Sequence, residues 1–162
     1  MNLLDGTAAG LAPGELATAA PALPEGVRVV FFHKQRTSAR LRFLIFASGL
    51  AAPAALDPTA VLLDEAPAAS GKVALHPAML ACACAEHFGL PRGEVRIDGE
   101  FRLHGEERGS SFTLLLAEFL AIDPPFDHAA RVGGRFVAIT EARGLGQAER
   151  EALRRAYAHI LG

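Results

Sequence analysis

Residues 27–162 predict a single α+β domain, a largely antiparallel sheet of five to six strands with two main helices expected to share one face. Three observations carry this expectation. Two β-branched and aromatic runs, residues 27–33 (VRVVFFH) and 40–47 (RLRFLIFA), flank a polar stretch of hairpin-loop length. A helix over Pro77–Phe88 leads into a long alternating segment at 94–104. The C-terminal stretch Gln147–Leu161 has an apolar stripe of Leu153, Ala156, Tyr157, Ile160 and Leu161.

In chain order, residues 1–26 are rich in Ala, Gly and Pro and are expected to form a loose arm. The two strands follow, then a loop at 48–58 with proline stops and a short edge strand at 61–64. Pro77 suits the first position of the next helix, where a missing N–H costs nothing. Leu80, Cys84 and Phe88 fall on one face, and Gly89 and Pro91 terminate it. In the next segment Val95, Ile97, Phe101 and Leu103 share one parity, and Arg96, Asp98, Glu100, Arg102 and His104 the other. A tight turn at Asp98-Gly99 would split the apolar set, so one continuous strand with its apolar residues on a common face is expected. Residues 105–110 (GEERGS) read as the turn. Residues 111–122 (SFTLLLAEFLAI) read as a returning strand apolar enough to be covered on both sides. A short helix at 126–132, a strand at 135–140 and the last helix complete the chain. In that helix Glu149 and Glu151 come early and Arg154 and Arg155 late, matching the helix dipole.

At 162 residues with 51% hydrophobic and 21% charged residues, the chain can bury a sizeable core. A net charge of -2 gives no long-range field for nucleic acid, and none is expected as a partner. The longest weakly polar run, residues 43–56, is interrupted by Ser48, Gly49 and Pro53, so no membrane span is expected. Cys82 and Cys84 lie on roughly opposite sides of one helix and form no disulfide framework. Free thiols and an N-terminus without a positive n-region fit a cytoplasmic protein.

Motifs with mechanical meaning fail on their spacing. Ser70-Gly71-Lys72 resembles the end of a phosphate loop, but position 66 is alanine and position 73 valine. Gly144-Leu145-Gly146 sits between a strand and a helix, yet no third glycine or completing strand follows. No Gly-x-Ser-x-Gly elbow exists. His76, Cys82, Cys84 and His87 lie near one helix without the three or four converging ligands zinc needs, so no metal and no cofactor are expected. His104, beside Glu106 and Glu107, is the candidate general acid or base; the competing reading is a surface histidine.

The densest charge cluster is residues 33–42, with Lys34, Arg36, Arg40 and Arg42 around a turn. Guanidinium forks grip phosphates and carboxylates in a fixed geometry. Arg36, Arg40 and Arg42, with Arg102 on the polar side of its strand, are the candidate ligand-binding residues. The alternative is a solvent-facing hairpin whose arginines pair with nearby acids.

Two segments resemble the catalytic module of the biotin/lipoate protein ligase family. Gln35-Arg36-Thr37-Ser38-Ala39-Arg40 stands where that family has a Gln-x-x-Gly-Arg-Gly-Arg-like loop after a strand. Helix Pro77–Phe88 leads into residues 96–107 (RIDGEFRLHGEE), as the family's helix leads into a strand and a glycine-containing turn. This chain lacks the loop glycines and any tryptophan, and Glu107 stands in place of the adenylate-binding lysine. The resemblance implies a ligase-like fold over residues 27–116 with a retained pocket. The expected partner is then a small acyl or anionic ligand. The alternative is a structural or assembly protein acting as a homodimer, suggested by the Ala-rich arm and the amphipathic last helix.

Overall fold

The structure, a computed structural model, describes residues 22–66 and 76–162. The expected arm falls outside the described residues up to position 21, as does Ser70-Gly71-Lys72. The elements are β1 Val27–Lys34, β2 Leu41–Phe46, β3 Val61–Leu63, α1 Pro77–Phe88, β4 Val95–Glu107, β5 Ser110–Phe119, α2 Phe126–Arg131, β6 Gly134–Val137 and α3 Gln147–Leu161. A 3₁₀ turn, Ile139–Glu141, follows β6.

The six strands form one sheet in the order β3-β4-β5-β1-β2-β6. All neighbours are antiparallel except β1 and β5, which run parallel from Val27↔Thr113 to Phe32↔Glu118. The short β3 lies at one edge, as its length suggests, and the apolar β5 is central. A central strand packed on both faces has no need of alternation.

The two long helices cover opposite faces of the sheet, which corrects the expectation of a shared face. Val29 and Phe31 of β1, with Leu115, Ala117 and Phe119 of β5, pack against Leu80, Cys84 and Phe88 of α1. Val30, Phe32, Leu114 and Leu116, the alternate residues, pack against Ala152, Leu153 and Ala156 of α3. The apolar runs of β1 and β5 leave two oily faces, and each needs its own cover. Burying one large aliphatic or aromatic side chain is worth about 1.5–3 kcal/mol, so neither face can be left wet.

β4 is a single strand, without a reversal at Asp98-Gly99. Its apolar residues nevertheless divide between the faces. The register passes from Ile97↔Ala117 to Arg102↔Leu115, so residues 98–101 stand opposite Leu116 alone. Four residues against one is an odd excess, and an odd excess turns the side chains over. Val95 and Ile97 therefore join the α1 side and Phe101 the α3 side. Asp98 holds the bulge: its Oδ1 accepts the Glu100 amide hydrogen at 2.9 Å, and its Oδ2 meets His159 Nε2 of α3 at 2.9 Å.

The β4–β5 hairpin is tighter than the six-residue turn expected. Glu107 pairs with Ser110, leaving Arg108 (φ 48°) and Gly109 (φ 78°) as a two-residue turn with both φ positive. Gly105 lies across from Phe112, whose ring occupies the space a Cβ would need.

Two acidic side chains pin the connection between β2 and β3. Glu149 of α3, 4% exposed, accepts hydrogen bonds on Oε2 from the amides of Leu50 (3.0 Å), Ala51 (3.0 Å) and Leu56 (3.4 Å). Burial pushes its carboxyl above the ordinary range, against the pull of those amides. Glu107 pairs through Oε1 with Arg28 and accepts the Asp57 amide hydrogen on Oε2 at 2.7 Å. Arg28 also donates to the Ala55 carbonyl at 3.1 Å. No helix among the described residues is long and apolar enough to cross a membrane.

Candidate functional site: a cleft where β1 and β5 leave the sheet

Parallel pairing sends β1 and β5 out of the sheet at the same end. β1 continues into the turn at 34–39 and β5 into residues 120–122. Between these exits lies a cleft of about 630 Å³. Its walls include Lys34, Arg36, Arg96, Phe119, Leu120 and Ile122. A crevice at the carboxyl ends of adjacent parallel strands is a frequent ligand position, because the two chains diverge there and leave space.

The turn wall is ordered by its own polar groups. The Gln35 amide donates to the Arg40 carbonyl at 2.9 Å, the Ser38 hydroxyl to Gln35 Oε1 at 3.1 Å, and Gln35 Nε2 to Asp123 Oδ1 at 3.3 Å. Ala39 closes the turn with φ 55°. His33, fully buried at the base of this wall, meets the Ala121 carbonyl through Nε2 at 2.9 Å and so ties the two walls together. That contact makes Nε2 the protonated nitrogen; Nδ1 is buried without a partner among the described residues.

The charges in the cleft are unequal in their commitments. Arg96 donates to Glu118 at 2.7 Å, a pair open to solvent on the arginine side. Lys34 and Arg36 are exposed, and neither makes an ion pair among the described residues. In the same lining Phe119 is buried, and Ile122 is 82% exposed. Cations beside apolar side chains can hold an anionic group while an apolar body is covered.

Of the arginines singled out by sequence, only Arg36 lines this cleft. Arg40 is exposed and does not line the cleft. Arg42 opposes His33 across β1 and β2 and lays its guanidinium 5.8 Å from the centre of the Phe126 ring. Arg102 is exposed on β4, just beyond the bulge. His104 lies towards the other end of β1 and β5, opposite Thr113, whose hydroxyl is 3.5 Å from Nδ1. Burial, and then the charge of Arg102, push its pKa below the ordinary histidine value. Neither Glu106 nor Glu107 is bonded to it, and Glu107 is engaged by Arg28. Arg36 and the His104–Glu107 segment therefore stand at opposite ends of the sheet.

Arg96 and Glu118 enter the site without any sign in their local sequence pattern, and His33, though inside the 33–42 cluster, gave no sign of its buried contact with Ala121. The one available signal was the unbroken apolar run of β5, since a strand central to the sheet ends where crevices form. Cys82 and Cys84 are free thiols, and burial pushes Cys84 up to about 12. No group of three or more His, Cys, Asp or Glu side chains gathers to hold a metal ion among the described residues.

No protein-family model and no curated protein matches the chain. Among solved structures, the crystal structure of the C. elegans Ap4A hydrolase aligns over 84% of this chain and 98% of its own, at 15% identity and a TM-score of 0.43.

Proposed function

We propose that this protein binds a small ligand with an anionic group and an apolar body in the β1/β5 cleft. Lys34 and Arg36 hold the anionic group, and Phe119, Leu120 and Ile122 cover the rest. One observation carries the reading: two cations without acidic partners among the described residues share a cleft with Phe119, Leu120 and Ile122 at the end of a parallel strand pair. The resemblance of residues 35–40 to the ligase loop supports it, because Gln35, Arg36, Thr37 and Ala39 of that loop line the cleft and a short acyl carboxylate has both required parts. The test is a thermal-shift and fluorescence-displacement screen with biotin, lipoate, acyl-CoA and nucleotides. Binding of one class, weakened about tenfold by Arg36→Ala through the loss of a charge-assisted contact, is expected. Silence across the set, or binding indifferent to both Lys34→Ala and Arg36→Ala, overturns it.

A second reading is self-association. Among the described residues β6 is hydrogen-bonded only to β2, which leaves its other edge without a strand partner there, and Phe126, 52% exposed, packs edge-on against Phe136 of β6. Sedimentation would show a dimer, and a monomer at every concentration refutes this reading.

A further inference from the structure

A second cleft of about 710 Å³ lies where the β2–β3 connection, the start of β6 and the turn before α3 meet. Its lining includes Gly49, Arg135, Arg143, Gly146 and Glu149. Arg135 and Arg143 are exposed, and neither makes an ion pair among the described residues. α3 begins behind Gly146 with no side-chain cap, so the amide hydrogens of its first turn have no intrahelical partner. Two guanidinium groups and the positive end of a 15-residue helix thus border one space.

Glu149 adds an independent requirement. Its Oε2 takes all three amides of the β2–β3 connection, while Oε1 receives no donor from the described residues. Oε1 lies against Gly49, where a Cβ would collide with it. It is not sealed off either: the fully buried side-chain polar atom left without a partner among the described residues is His33 Nδ1, not this oxygen. A carboxylate oxygen open to the cleft, on a side chain otherwise only 4% exposed, can accept a donor from a ligand seated there. A plain anion would be repelled by it.

We propose that this second cleft binds a small zwitterion, its anionic head on Arg135, Arg143 and the first amides of α3, and its ammonium group on Glu149 Oε1. The site is separate from the β1/β5 cleft and stands without it.

The experiment uses the full chain labelled with ¹⁵N, titrated with O-phosphoethanolamine, β-alanine, inorganic phosphate and ethanolamine. The amides of Gly144, Gly146, Gln147 and Ala148 report the second cleft; those of residues 34–39 report the first. One zwitterion is expected to bind at the second cleft about tenfold tighter than inorganic phosphate or ethanolamine, the worth of one extra charge-assisted contact. Whether O-phosphoethanolamine or β-alanine prevails distinguishes a phosphate from a carboxylate head. Arg143→Ala, an exposed change, should weaken that zwitterion about tenfold. Glu149→Gln should abolish the zwitterion's advantage over phosphate. If that variant does not fold, the wild-type ranking and Arg143→Ala decide. Shifts confined to residues 34–39, equal binding of phosphate and zwitterion, or no shift at 144–148 with about 10 mM zwitterion, a concentration at which even weak millimolar sites fill, overturns the proposal.

Discussion

Replacing Glu149 by alanine should be among the most damaging single changes in this protein. The substitution removes one oxygen that serves the amides of Leu50, Ala51 and Leu56 at once. A buried amide left without an acceptor costs about 1–3 kcal/mol, and three of them set an upper bound near 9. Two effects reduce it. Water can enter from the adjoining cleft and serve some of the amides, and the variant no longer buries a carboxylate. A loss of about 3–5 kcal/mol remains, a large part of the roughly 5–15 kcal/mol by which a domain of this kind is stable. Urea unfolding followed by circular dichroism would show it as a midpoint lower by about 1.5–3 M for a slope near 1.5–2 kcal/mol/M. Glu149→Gln keeps one oxygen acceptor in place and should lose about 1–2 kcal/mol at neutral pH. The pH dependence separates the two roles of the carboxylate. Because burial raises its folded pKa above the ordinary 4.5, wild type is favoured by this group below pH 4.5 and loses that advantage as pH rises towards the folded value. Glu149→Gln should not show that decline. An alanine variant within about 0.5 kcal/mol of wild type, the range of an ordinary surface change, would refute the clamp.

Three further outcomes are expected. Gly105→Ala should destabilise by about 1–3 kcal/mol because its Cβ meets the Phe112 ring, whereas Gly99→Ala, with open space around it, should stay within about 0.5 in the same urea assay. Cys84, held at about 12 by burial, should resist alkylation by iodoacetamide at pH 8 in the native state, while the half-buried Cys82 reacts first; mass spectrometry of the digested protein reads this directly. Burial pushes the Asp98 carboxyl up, but the Glu100 amide and His159 more than offset it, so the folded pKa lies below 3.8. Its stabilisation is present above pH 3.8 and lost as pH falls through the depressed value, and Asp98→Asn should flatten that acid limb of the unfolding curve.

Much of the fold was legible because its signals are local. The proline and glycine around α1 mark its ends, the stripe of α3 is complete within its own 15 residues, and β1 and β2 announce a hairpin through composition and loop length. The site was less legible. The basic turn at 33–42 stood out as a charge cluster, yet only Lys34 and Arg36 of its cations reach the cleft. Alternation along an extended turn does not tell which side chains face a wall formed by residues 118–122. His104 drew notice for its acidic neighbours, but Glu107 is consumed by Arg28, a partner 79 positions away.

Taken alone, the amino-acid order fixes where most helices and strands occur, because 3.6- and 2-residue periodicities and their capping residues act within a few turns of chain. It also dictates that β5 must be covered on both sides. Which strand lies beside it was decided only in the folded state, where β1 pairs parallel across a separation of 86 residues, Val27↔Thr113. The odd excess at 98–101 likewise sends Phe101 to the α3 face, a choice made by the partner strand rather than by β4 itself. Both clefts follow from such distant pairings, since a crevice exists only between segments whose adjacency no local pattern encodes.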